Sequence, residues 1–125
     1  MRLINDYYRI IGMASNEDAY SCKVRLAPDH DLYKVHFPGY PVTPGACLLQ
    51  MATEMLELQT GRRLLLRKAT SMKFKKTIGP HEQPTFVFTR MVWQDNGLKV
   101  VVGVEDGEVQ FATMALQYVV MTHER

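Results

Sequence analysis

Between His36 and Glu57 the chain reads HFPGYPVTPGACLLQMATEMLE, and this stretch limits the available folds more than any other. Pro38, Pro41 and Pro44 recur at three-residue spacing. Each fixes its own backbone angle and turns the preceding residue away from helical geometry, so together they form a stiff, extended lead-in that begins at His36. From Gly45 the character changes. Cys47, Leu48, Leu49, Met51, Ala52, Met55 and Leu56 are too many for a narrow apolar stripe, which predicts a helix buried over most of its surface. Gly61 supplies the left-handed C-cap that ends it near Thr60. Such a helix requires the rest of the chain to wrap around it.

The remaining sequence supplies strands for that purpose. Asn5 or Asp6 caps a short predicted helix over residues 5 to 9. From Ala19 to Ala27, Tyr20, Cys22, Val24 and Leu26 alternate with Ser21, Lys23 and Arg25, the period of a half-buried strand that Pro28 ends. Asp29 to Val35 reads as a polar loop delivering His36. After the helix, strands are expected over Arg63 to Thr77, Thr85 to Trp93, Leu98 to Glu105 and Val109 to Met121, with tight turns at Asp95-Asn96-Gly97 and Asp106-Gly107. Consecutive hairpin-linked strands are antiparallel neighbours, so the expected class is α+β: one long central helix wrapped by a curved antiparallel sheet.

With 125 residues, 46% apolar and 22% charged, the chain fits a single domain spanning 1–125 and excludes disordered and fibrous classes. The net charge of +2 does not by itself point to nucleic acid. Acidic residues and tyrosines interrupt the N-terminus where a signal peptide needs an apolar core, and no apolar run has membrane-spanning length; a cytoplasmic protein with no membrane partner is expected. Cys22 and Cys47 lie far apart in apolar-patterned segments, which reads as two buried, reduced thiols.

His36-Phe37-Pro38-Gly39, then Pro41, then Pro44-Gly45 before small and apolar residues, resembles the signature of the 3-hydroxyacyl-acyl-carrier-protein dehydratases of fatty-acid synthesis, the FabA and FabZ group. The resemblance implies the hotdog fold and a homodimer with its sites between protomers, a higher oligomer or heterodimer being the alternatives. It implies that His36 removes the C2 proton of an acyl thioester. It also implies that the Gly45 N–H polarises the thioester carbonyl, with Ala46 and Phe37 bordering the substrate. Both main roles are physically reasonable: imidazole titrates near working pH, and a helix N-terminus offers unpaired N–H groups where an enolate-like oxygen develops.

In that family an Asp or Glu fourteen residues after the histidine, from the partner protomer, protonates the departing hydroxyl; here the position is Gln50. An amide has no titrating proton and cannot act as a general acid. Glu54 stands one turn later on the same face, about 6 Å along the axis, and is the candidate to supply or relay the proton. Gln50, Thr53, Glu54 and Glu57 also fit the solvated stripe of an amphipathic helix.

Arg62, Arg63, Arg67, Lys68, Lys73, Lys75 and Lys76 put seven of the fifteen Lys and Arg residues in one run with no acidic residue. The run reads either as a solvated strand face or, for Arg67, Lys68, Lys73, Lys75 and Lys76, as a docking face for an acidic partner, the resemblance implying an acyl carrier protein. Stacking aromatics do not follow the basic residues, which argues against nucleic acid. Asp29-His30-Asp31 lacks a second ligand cluster and reads as a solvated turn, so neither metal nor other cofactor is expected. Met51, Met55, Met72, Met91 and Met114 read as core filler. The leading reading is a dehydratase. Two others stand beside it: a hotdog thioesterase, in which Gln50 and Glu54 direct water at the carbonyl, and a non-catalytic acyl-binding subunit of a dehydratase heterodimer.

Overall fold

The structure is a computed structural model that describes residues 2–35 and 42–121. Its elements run β1 (Tyr8–Ser15), β2 (Ala19–Leu26), α1 (Asp31–Val35), α2 (Gly45–Thr60), β3 (Leu64–Phe74), β4 (Thr85–Gln94), β5 (Gly97–Asp106) and β6 (Val109–Val120). The six strands form one sheet in the order β1-β2-β4-β5-β6-β3, every pairing antiparallel. No described helix is long and apolar enough to cross a membrane.

Helix α2 begins and ends where the sequence places it. Gly61 takes φ 70° and returns its N–H to Glu57 O at 2.9 Å, satisfying one of the orphan carbonyls of the last turn. Cys47, Leu48, Met51, Ala52, Met55 and Leu56 are buried. They pack against inward residues of the sheet, among them Cys22, Val24, Phe86, Phe88, Val102, Met114 and Leu116, all buried. Two consecutive helix residues demonstrate the wrapping. Thr53 Oγ1 lies 2.9 Å from Tyr118 Oη on β6, next to the β3 edge, while Glu54 reaches Tyr8 on β1, the opposite edge, at 3.0 Å. A sheet can meet neighbouring positions of one helix from both of its edges only by curling around it.

Two local expectations are corrected. The predicted helix at 5 to 9 is a turn followed by strand β1: Asn5 adopts φ 64°, Leu3 O accepts the N–H groups of Asp6 and Tyr7, and the chain extends from Tyr8. Strand β1 gave no sequence alternation because it is an edge strand with a bulge between Ile10 and Gly12 and little burial beyond Ile10. The segment read as a polar loop contains helix α1, a single turn too short to show a period. His30 caps it. Its Nδ1 accepts the Leu32 N–H at 3.0 Å and its Nε2 lies 3.1 Å from Asp6, so both ring nitrogens are engaged in the fold.

Cys22 and Cys47 are free and buried, as expected. Of the methionines read as core filler, Met51, Met55 and Met114 are buried, and Met72 and Met91 pack at the edge of the core.

Burial raises the hydroxyls of Tyr7, Tyr8, Tyr20 and Tyr33 above their ordinary range and pushes Tyr118 up to about 12. The unfolded chain releases these protons near pH 10.0, before the folded chain does. The stability these groups contribute is therefore complete below pH ~10 and declines as pH rises above it, for Tyr118 through about 12. The urea midpoint should fall steeply across that window; a level profile through it would contradict the burial of these rings.

Candidate functional site

The start of α2 is built to leave donors open. Pro44 at the N-cap is extended, with φ −65° and ψ 149°, no side chain among the described residues caps the helix, and the first turn holds no acidic residue. Helical N–H bonding begins with Cys47 and Leu48, both directed to Pro44 O at 3.0 and 3.2 Å. The N–H groups of Gly45 and Ala46 therefore lie where a helix can offer them to a ligand, at the positive end of its dipole. Two bonds fix this end in the fold. Thr43 N donates to Ile78 O at 2.8 Å, and Thr43 Oγ1 lies 3.0 Å from Tyr33 Oη.

A cavity of about 350 Å³ opens beside these groups, lined by Thr43, Gly45, Leu48, Phe74, Lys76 and Ile78 among others. Its wall explains the glycine. A Cβ at position 45 would stand 2.9 Å from Phe74 Cζ, inside contact distance, so the ring of Phe74 lies over the helix start only because Gly45 has no side chain. A larger cleft, about 830 Å³, sits at the other end of α2 among Glu17, Asp18, Arg62, Arg90 and Trp93, remote from the helix N–H groups.

His36 and Phe37 fall outside the described residues, but the flanks of their segment are held. His36 comes three residues after Tyr33 and Gly45 two residues after Thr43, and Tyr33 and Thr43 are bonded to each other. Gln50, half-buried, follows Ala46 by one turn and donates Nε2 to Glu54 Oε2 at 2.8 Å.

Glu54 does not belong to a solvated stripe: its relative exposure is 1%. Oε2 also receives the Leu3 N–H at 2.7 Å, and Oε1 receives the Ile4 N–H at 2.8 Å and the Tyr8 hydroxyl at 3.0 Å. Two donors on each oxygen suit an acceptor inside the fold, not a donor to substrate.

The basic run divides. Lys75 and Lys76 are exposed at the cavity, their backbone N–H groups both on Phe111 O and Lys75 Nζ 3.0 Å from Gln110. Lys73 is exposed next to Phe74, whereas Arg67 and Lys68 lie roughly 20 Å further along β3 at 3.3 Å per residue.

Residues 12–114 match the family model for ApeI-like proteins, described as the ApeI dehydratase. The chain belongs to the ApeI-like dehydratase family. The resemblance pointed to a dehydratase of the hotdog class, and the matching model is that of a dehydratase family. Among solved structures, the dehydratase heterocomplex ApeI:P from Xenorhabdus doucetiae aligns with a TM-score of 0.66 at 14% identity, covering 88% of this chain and 96% of that one. A hypothetical thioesterase from Streptococcus pneumoniae aligns at 0.67 with 10% identity, covering 96% and 95%. A thioesterase from Haemophilus influenzae aligns at 0.65 with 13% identity, covering 94% and 82%. At these identities the likeness establishes the hotdog fold. No curated protein sequence matches the chain.

Sequence reasoning missed the Tyr33–Thr43 bond, the ring of Phe74 over Gly45, and the donors that claim Glu54. Those donors lie 46 to 51 residues away in sequence, where no spacing rule reaches. The Phe74 contact gives a direct test. Gly45→Ala should cost about 1–3 kcal/mol by overpacking, measured by urea unfolding, and Phe74→Ala should remove most of that cost; an unrelieved loss would contradict the contact.

Proposed function

We propose that the chain acts in the cytoplasm on 3-hydroxyacyl thioesters carried by acyl carrier protein, as the dehydratase-like subunit of a pair of unlike hotdog chains in fatty-acid or related polyene and lipid biosynthesis. In this reading His36 takes the C2 proton, and the N–H groups of Gly45 and Ala46 hold the carbonyl oxygen while its charge develops. The electron pair released at C2 forms the C2–C3 double bond, and the C3 hydroxyl departs with a proton as water. That proton is the missing element. The observation that carries the reading is the state of Glu54: its oxygens are taken up by four donors inside the fold, and Gln50 has no proton to give, so an acid from a second chain completes the site.

A partner unlike this chain also fits the sheet edge. Strand β3 is an edge strand with Leu65 and Phe74 55% and 54% exposed, and it bears Arg67, Lys68 and Lys73. A second copy paired along it would bring these cations toward their own counterparts, which is unfavourable, whereas an acidic partner is attracted. In this reading the partner is an unlike chain rather than a second copy, an assembly of the kind named for the ApeI:P neighbour. Lys75 and Lys76, at the mouth of the cavity, receive the acidic carrier protein. The thioesterase reading draws on the thioesterase neighbours: Gln50 would orient water toward the carbonyl held at Gly45.

Incubating the purified chain, alone and mixed with an ApeI-type chain that has Glu or Asp at the Gln50 place, with 3-hydroxyacyl and enoyl carrier-protein thioesters separates these readings by product mass. The mixture should interconvert the two at least about 100-fold faster than the chain alone, and Gln50→Glu should raise the rate of the chain alone by a factor of about 10² to 10⁴. Release of free acid would establish the thioesterase instead, and a mixture with no water loss would refute the proposal. Replacing Lys75 and Lys76 by Glu should weaken carrier-protein binding roughly tenfold at low salt, with the difference shrinking as salt rises. Unchanged affinity would remove these lysines from the docking face.

A further inference from the structure

We infer that the outer face of the sheet is a docking surface for an anionic phospholipid layer, engaged through two groups of cations: Arg9, Lys23 and Arg25 at one end, Arg90 and Lys99 at the other. The inference stands apart from the proposed reaction. The charges of the sheet are sorted. Its six strands carry eight Lys or Arg residues but only two carboxylates, Glu105 and Asp106, which close β5. All of these cations are exposed, and neither ion pair among the described residues includes a strand residue. The acidic residues Glu17, Asp18, Asp95 and Glu108 sit in the turns. Arg67, Lys68 and Lys73 belong to the β3 edge, where the proposed partner chain meets them. The cations of β1, β2, β4 and β5 have no counterpart of that kind.

Register puts the two groups on one face. Arg9 is directly opposite Arg25, Lys23 pairs with Thr85 and Lys99 with Gln117, while the alternate positions Cys22, Val24, Phe86 and Val102 are buried in the core. Arg90 joins them from the bulge between Thr89 and Val92, where its φ is 52°. With Lys99, Thr70 and Gln117 it borders a depression of about 190 Å³ that no carboxylate lines. Like charges directly opposite each other destabilise a sheet, so Arg9 and Arg25 keep a repulsion that an anion from outside relieves. The groups lie roughly 25 Å apart at 3.3 Å per residue and 4.8 Å per strand, more than the Debye length of about 10 Å. A small anion meets one of them; a continuous layer of phosphates meets both. Exposed apolar side chains accompany each group, as contact with the boundary between headgroups and acyl chains requires. Ile11 and Met13 flank Gly12, the register partner of Lys23, and Val92 is the register partner of Lys99. Nucleic acid fits less well, because no aromatic residue shares the outward positions and the projecting turns are acidic. The expectation of no membrane partner rested on the lack of a spanning run, which surface contact does not need.

Flotation of the purified chain with vesicles tests the inference, using phosphatidylcholine alone and equal parts phosphatidylcholine and phosphatidylglycerol. The chain should float with the anionic vesicles only, and should leave them as salt approaches about 1 M, where the Debye length falls to ~3 Å. Arg25→Gln and Lys99→Gln should each weaken binding about fivefold, since one cation near such a surface is worth ~1 kcal/mol. The two sites are far apart, so the double variant should lose about 25-fold. Both side chains are exposed and the urea midpoint should not fall; Lys23→Gln and Arg90→Gln serve in their place if either variant fails to fold. No flotation, equal flotation with both vesicles, or binding undiminished by the substitutions overturns the inference. So does tighter binding to a duplex oligonucleotide than to the anionic vesicles, which would assign the face to nucleic acid.

Discussion

A carboxyl group with 1% exposure in a helix otherwise buried by apolar side chains must bring its hydrogen-bond donors with it, and Glu54 makes that demand of this fold. The donors come from the far end of the sequence. Leu3 and Ile4 supply backbone N–H groups and Tyr8 its hydroxyl, which ties the first residues of the chain to the middle of α2. The tie has structural reach. It seats the turn at residues 5–7, launches β1 along the sheet edge, and sets Tyr7 under α1, where its ring stacks on Tyr33 at 5.1 Å. Removing Glu54 would leave several buried donors unsatisfied together, a larger penalty than the loss of one surface contact.

The site grows from the same helix by a different route. Its first turn has no acidic residue and no side-chain cap, so nothing within the described residues competes for the dipole and N–H groups of Gly45 and Ala46. Phe74 and Ile78, arriving after a long excursion through β3, wall the cavity beside them, and the Tyr33–Thr43 bond holds together the two flanks of the proline segment. Donors, cavity and flanks are positioned by packing that forms only when the sheet closes over α2.

The helix has thus used two polar residues one turn apart for opposite ends. Glu54 faces inward and is consumed by the fold, while Gln50 is half-buried and donates to it. This division leaves the carboxyl oxygens of Glu54 facing donors of the fold. A 6 Å displacement along a helix is small, but the strands packed against each turn are different, and it is those strands that decide what a side chain can meet.

Much of the architecture could be read from residues alone, because its signals are local. Proline geometry and the density of apolar residues fixed α2 from Gly45 to Thr60, Gly61 marked its end, and the alternation in β2, the β-branched and aromatic content of β4 and the tight turns on either side of β5 gave the wrapped antiparallel sheet. The HFPG lead-in pointed to a dehydratase family within the hotdog class. Edge strand β1 and the single turn of α1 escaped because edge strands lack alternation and one turn has no period. The role of Glu54 escaped for a deeper reason: a carboxyl group on a polar stripe looks the same in sequence whether water or a distant backbone N–H meets it. Only the closure of the sheet around α2, which brings Leu3 and Tyr8 to within hydrogen-bond distance across about fifty residues, decided between them.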